Sequence, residues 1–236
     1  MTKIDKSLYS KEEWHKIRQE RRNEKRLKNL SNTNNIENLS SNDIAFVIGN
    51  GVSRLPIDLE KLKSIGKVYA CNAVYRTFQP DFLVAVDVKM ILEINKAGFQ
   101  HKNQVWTNPN KSYERIKNLN FFSPSKGWSS GPTALWLSAQ HRHKKIYILG
   151  FDYKGLKDGM KFNNLYADTP NYKKSQDGAT FFGNWLRQTA SVVKEHEKTE
   201  FIRVIAPDNY CPEELNKLGN YSTITIEEFK NQFVLV

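Results

Sequence analysis

Long apolar runs are missing from this chain of 236 residues. None approaches the roughly 18 residues of a membrane-crossing helix, and the first residues are charged, so neither a membrane span nor an export signal is expected. Cysteine is almost absent. Cys71 and Cys211 lie far apart and form no CxxC or Cys/His pattern, which argues against structural zinc and a disulfide framework. A reducing, cytoplasmic setting is expected. No GxGxxG occurs, and no Lys-Ser or Lys-Thr follows the first glycine pair to make a Walker loop. No internal repeat is visible.

Negative charge is in short supply, with 36 Lys and Arg against 25 Asp and Glu, a net charge of +11. The imbalance is concentrated at the start. Residues 1–30 hold ten basic side chains against five acidic ones, which supplies +5 of the total. Such a balance favours polyanions: nucleic acid, an acidic membrane or phosphorylated ligands. Residues 10–30 are expected to form a polar helix, with Ser10 as N-cap and Glu13 at capping-box spacing. Trp14, Ile17 and Leu27 are its only apolar anchors. Residues 31–42, rich in Asn and Ser, form a linker. The division is therefore a basic arm with linker over 1–42 and a globular domain over 43–236.

That domain alternates strands and helices. Ile44–Ile48 is a continuous apolar run stopped by glycine, the pattern of a strand buried on both faces. Strands are expected at 67–71, 82–86, 104–107, 120–123, 146–149, 201–206 and 223–226. Helices are expected at 59–65, 88–97, 131–141 and 180–196, with a short one before the last strand. A polar insertion occupies 154–178. The alternation predicts an α/β, Rossmann-like domain, a mostly parallel sheet with helices on both faces.

The first strand ends in Gly49-Asn50-Gly51-Val52-Ser53. In open α/β sheets ligands sit beyond the carboxyl ends of strands, and a glycine pair there lets backbone N–H groups approach phosphate. Other strand ends are polar too: Asn72, Asp87, and Asp152 after Gly150-Phe151. The helix after Ser129-Ser130-Gly131 presents free N–H groups. Asn50, Asn72, Asp87, Ser130, Gly131 and Asp152 are expected along one edge, around a nucleotide or nucleotide-linked ligand.

Gly49-Asn50-Gly51-x-Ser53, the strand ending Cys71-Asn72, Ser130-Gly131 before an apolar helix, and Ile146 to Asp152 together resemble the bacterial sialyltransferases of glycosyltransferase family 42, over roughly residues 44–153. The resemblance implies that Asn50, Ser53, Asn72, Ser130 and Gly131 hold a CMP-linked sugar. It also implies a histidine base between the insertion and the next helix, but residues 175–183 contain none. Asp177 stands there as a substitute base. The family's tyrosine falls near Lys154, beside Tyr153, which becomes the second candidate catalytic residue.

Pro80-Asp81-Phe-Leu-Val-Ala-Val-Asp87 after a Gly-Asn-Gly-x-Ser loop is also similar to the 6-hydroxymethylpterin diphosphokinase-like family. That similarity implies pyrophosphate transfer with Mg²⁺ held by Asp87, because Mg²⁺ takes oxygen ligands and keeps waters beside substrate phosphates. The competing account is that Asp87 only caps a helix.

His141 and His143, at i and i+2, are expected to face different sides and to sit near a helix C-terminus for its favourable partial charge. Phe181, Phe182 and Trp185 fall on helical spacing and are expected in the core. The insertion, basic through Lys154, Lys157, Lys161, Lys173 and Lys174, is either a lid or a solvated loop. Three functions follow: a nucleotide-sugar-dependent, sialyltransferase-like glycosyltransferase; a Mg²⁺-dependent diphosphotransferase; or a catalytically silent domain tethered through its arm to nucleic acid or a larger assembly. Heavy Lys and Asn usage fits an AT-rich coding genome, of a bacterium or its virus.

Overall fold

In a computed structural model the described residues are Ser10, Glu13, Trp14, Ile17 and 43–233. Two compact units divide the chain, 1–39 and 40–236. Within the first, the Ser10 N–H donates to Glu13 Oε2 (2.8 Å) and the Glu13 N–H to Ser10 Oγ (3.3 Å), the reciprocal pair that the spacing predicts. The rest of the expected arm helix, its charge run and the 31–42 linker lie outside the described residues.

The second unit is a Rossmann-like α/β domain on one eight-stranded sheet. Its strands are β1 (Ile44–Ile48), β2 (Lys67–Cys71), β3 (Phe82–Val84), β4 (Gln104–Thr107), β5 (Asn120–Phe121), β6 (Lys145–Leu149), β7 (Glu200–Ile205) and β8 (Tyr221–Thr225). The helices are α1 (Leu59–Leu62), α2 (Val88–Lys96), α3 (Ser130–Gln140), α4 (Gly183–Glu195), α5 (Glu213–Asn216) and α6 (Ile226–Phe233). Every strand pairing is parallel, in the order β5-β4-β3-β2-β1-β6-β7-β8. The chain builds outward from β1 to β5, returns through α3, and places β6 on the other side of β1. The order therefore reverses between β1 and β6, where open sheets leave a crevice for ligands.

Alternation within β1 explains its unbroken apolar run. Phe46 and Ile48 join one core layer with residues of α1, α2 and α6, while Ala45 and Val47 join the other with α3 and α4. With both faces covered there is no position for a polar side chain, and each buried Phe or Ile contributes about 1.5–3 kcal/mol. On the first face Phe46, Tyr147, Phe229 and Phe233 form an aromatic cluster; the Tyr147 and Phe233 ring centroids lie 5.1 Å apart. On the second, α3 is buried from Pro132 to Ala139 because it lies between the sheet and α4.

Three expectations need correction. The final strand ends at Thr225, and Ile226 opens α6, which the sequence reading had not anticipated. Thr225 and Glu228 exchange capping-box bonds of 2.7 and 3.1 Å at that point. Helix α4 begins at Gly183, three residues later than the apolar spacing suggests. Phe181 therefore precedes the helix and is 75% exposed, and Phe182 is only half-buried, whereas Trp185, also half-buried, packs against the core as expected. Among the described residues no helix is long and apolar enough to cross a membrane.

Candidate functional site

A cavity of about 640 Å³ opens at the reversal point, walled by the loops after β1, β2, β3 and β6, the start of α3, the insertion and the start of α4. Gly49, Asn50, Gly51, Asn72, Asp87, Ser130, Gly131 and Asp152 all line it, so the convergence expected from the strand ends is present. Ser53 does not line it.

The first loop is held from below. Because β1 and β6 run in register, Gly49 and Gly150 leave the sheet side by side. The Gly49 N–H donates to Leu149 O (2.8 Å) and the Gly51 N–H to Gly150 O (2.9 Å). A Cβ on Gly49 would stand 2.5 Å from Gly150 O, and one on Gly51 2.4 Å from a carboxylate oxygen of Asp152. Contact between the two loops, rather than approach to phosphate, accounts for these glycines. Both N–H groups are already engaged, which corrects the expected phosphate cradle.

Asp152 clamps this arrangement. Its Oδ1 accepts a short bond from the Ser53 hydroxyl, and its Oδ2 accepts the Ser53 N–H (3.2 Å) and Asn163 Nδ2 (3.0 Å). Ser53 and Asp152 thus face each other rather than a ligand. Beneath the loop Arg54 is buried, its Nε donating to Gly49 O (2.7 Å) and one terminal nitrogen to the Tyr166 hydroxyl (3.4 Å). No described carboxylate lies within ion-pair distance of it. A buried guanidinium without a counter-ion is costly; Arg54 does not itself line the cavity.

Asn50 is 8% exposed, and its amide orientation is fixed by a carbonyl. Nδ2 donates to Cys71 O (3.4 Å), an atom that can only accept, and to the Tyr172 hydroxyl (3.3 Å). Oδ1 is buried with no partner. Asn72, in the left-handed region at φ 52°, likewise leaves its Oδ1 buried and unpartnered. The Tyr172 oxygen accepts from Asn50 and from the Ala73 N–H (3.3 Å), leaving its own proton for another acceptor. Burial pushes that phenol well above its ordinary range.

The start of α3 adds donors. Thr133 N–H and Oγ1 both bond Ser129 O, Pro132 has no N–H, and Ser130 and Gly131 have no acceptor inside the helix. Ser130 Oγ accepts the Val86 N–H (3.1 Å), tying the end of β3 to this helix. One residue on, Asp87 holds the N-cap position of α2 but makes no side-chain cap bond. It is exposed and forms no ion pair. Among the described residues no group of three or more His, Cys, Asp or Glu is placed to hold a metal.

The insertion walls the cavity through 162–164 and 171–173 and is tied to the domain body, while its residues 173–178 are exposed. Leu165 N–H bonds Asn50 O (2.8 Å), Asn163 Oδ1 accepts the Val52 N–H (3.0 Å), and Arg76 donates to Thr169 Oγ1 (2.7 Å) and Pro170 O (2.8 Å). Glu93 accepts from Arg76, Tyr75 and Asn171. Burial raises its pKa, but those bonds outweigh it and bring the carboxyl down to about 2.

Neither proposed catalytic side chain is free in the cavity. The Asp177 carboxylate accepts the Lys174 N–H (2.8 Å) in an exposed turn and does not line the cavity. Tyr153 lines it, but its hydroxyl points into the core and donates to Thr189 Oγ1 (2.8 Å), with the Arg203 guanidinium 5.0 Å from its ring centroid. Burial raises its pKa far above the ordinary value. His141 and His143 also differ from expectation. Arg142 adopts φ 61°, the chain turns back, and both rings reach the Tyr69 hydroxyl, at 2.5 and 2.9 Å. Burial and the neighbouring His143 lower the pKa of His141 to about 4.

Tyr172, Asn163 and Arg54 were not foreseen. Arg54 directly follows the recognised loop, but the other two sit in an insertion whose composition says only that it is polar. Compared with protein-family models, curated proteins and solved structures, the chain matches none of them.

Proposed function

We propose that this cavity binds a nucleotide-linked sugar and that the chain is a glycosyltransferase of sialyltransferase-like type. The observation that carries the reading is that Asn50 and Asn72, two residues that line the cavity, each hold a buried amide oxygen without a partner. A buried acceptor without a donor costs about 1–3 kcal/mol, and ribose hydroxyls or the exocyclic amine of a base supply such donors. The Ser130 and Gly131 N–H groups, at the positive end of α3, suit the phosphate. They would stabilise the charge left on it as the sugar departs. Arg54 adds positive charge beneath the loop. A volume of about 640 Å³ lies within the 300–1,000 Å³ common for small-molecule sites. Two free cysteines are in keeping with a cytoplasmic setting.

One observation favours a second reading. Asp87 is an uncommitted carboxylate in the cavity, as a Mg²⁺-dependent diphosphotransferase would need, with ligand phosphates and water completing the shell. A thermal-shift panel of CMP, CMP-, UDP- and GDP-sugars, ATP and GTP, with and without Mg²⁺, separates the two, since a ligand that binds only the native state raises its melting temperature. Stabilisation by a sugar nucleotide without metal supports the transferase. Stabilisation by ATP only with Mg²⁺ supports the alternative, and no shift from any member removes both.

A further inference from the structure

We infer that Asp87 is the general base that activates the acceptor, taking the place of the histidine missing after the insertion; the inference rests on the glycosyl-transfer reading above. The cavity wall contains few groups able to accept a proton. Asp152 has both oxygens engaged by Ser53 and Asn163. Tyr153 donates into the core, and Tyr172 is a buried phenol held in its protonated form. Burial pushes the Cys71 thiol up to about 12, so it too keeps its proton near neutrality. Lys89 and Lys173 are exposed cations, and no histidine lines the wall. Asp87 remains, an exposed carboxylate at the N-cap of α2 that makes no cap bond and no ion pair.

Its place in the fold suits the role. The attacking oxygen must come within about 3–3.5 Å of the sugar carbon, and the base within about 3 Å of that oxygen. The oxygen attacks from the face opposite the leaving phosphate, so the base stands across the sugar ring from that phosphate, within about a sugar's breadth of it. Asp87 follows Val86, whose N–H is held by Ser130 Oγ at 3.1 Å, which keeps it within that span of the α3 N-terminus where the phosphate is proposed. The acceptor hydroxyl gives its proton to the Asp87 carboxylate as its oxygen bonds to the anomeric carbon. The bond from that carbon to the phosphate oxygen breaks, and its electron pair leaves with the nucleotide, toward the Ser130 and Gly131 N–H groups. Asp87 then returns its proton to water.

The test uses the full chain and the Asp87→Asn and Asp87→Glu variants. Nucleotide affinity is measured by calorimetry with and without Mg²⁺, and nucleotide release is followed from CMP-, UDP- and GDP-sugars with water as acceptor. Asp87→Asn is expected to bind the nucleotide within about threefold of wild type and to melt at the same temperature. Its release rate is expected to fall about 100- to 10,000-fold, the usual worth of a general base, while Asp87→Glu recovers part of it. Release within tenfold of wild type in Asp87→Asn overturns the assignment. So does Mg²⁺-dependent binding that Asp87→Asn abolishes, which makes Asp87 a metal ligand instead. A wild-type chain that binds nucleotide but releases none from any sugar donor removes the base while leaving the binding site intact. A chain that binds no nucleotide removes the reading beneath it.

Discussion

Replacing His141 with glutamine tests a buried cluster that lies outside the cavity lining. His141 and His143 converge on the Tyr69 hydroxyl, and the His141 ring is 6% exposed with its Nε2 unpartnered. An exposed histidine binds its proton at about 6.5, and this one only at about 4. Between those values the unfolded chain holds a proton that the native state refuses. Stability is therefore whole above pH 6.5 and declines as pH falls toward 4. The interval amounts to about 3 kcal/mol in all, with about 2 kcal/mol already gone at pH 5. Urea denaturation of both proteins from pH 7 down to about pH 3.5 measures it. At pH 7 the variant is expected to be less stable by about 1–2 kcal/mol, for the lost bond to Tyr69. As pH falls that gap closes and reverses. A gap that stays constant across the window would refute the reasoning, because it would mean that His141 protonates equally in both states.

Three further outcomes follow from the walls of the site. Gly51→Ala forces a Cβ to 2.4 Å from Asp152 and 2.7 Å from Gly150 O, so it should cost about 1–3 kcal/mol by chemical denaturation, whereas Gly219→Ala, with nothing within 4 Å, should be neutral. Asp152→Ala leaves Ser53 and Asn163 without their acceptor; a loss of about 3 kcal/mol and faster hydrogen exchange across 154–178 are expected, and unchanged exchange there would contradict the clamp. Asn50→Ala should weaken nucleotide affinity about tenfold by calorimetry, roughly 1.4 kcal/mol, and an unchanged Kd would remove Asn50 from the ligand's contacts.

The central strands were legible because a doubly covered parallel sheet demands apolar runs, and Ile44–Ile48 and Lys67–Cys71 have the bounds that their sequences suggest. Helix α6 could have been found: Thr225-x-x-Glu228 is the same capping signature that marks Ser10 and Glu13. The spacing rule for His141 and His143 assumes continuing helix, and it fails where Arg142 turns left-handed. For the site, sequence located the walls but not what each residue does there. Whether Gly49, Gly51 and Ser53 face a ligand or the neighbouring loop depends on the register of β1 against β6, a pairing between segments about a hundred residues apart. The grip of the insertion on Asn50 and Val52 is equally non-local, and a polar composition does not encode it.

A crystal structure with the nucleotide that gives the largest thermal shift tests the central claim most directly. The account predicts ligand donors within hydrogen-bond distance of Asn50 Oδ1 and Asn72 Oδ1, with a phosphate against the Ser130 and Gly131 N–H groups. A nucleotide bound elsewhere, or one in the cavity that leaves both amide oxygens unpartnered, would contradict it.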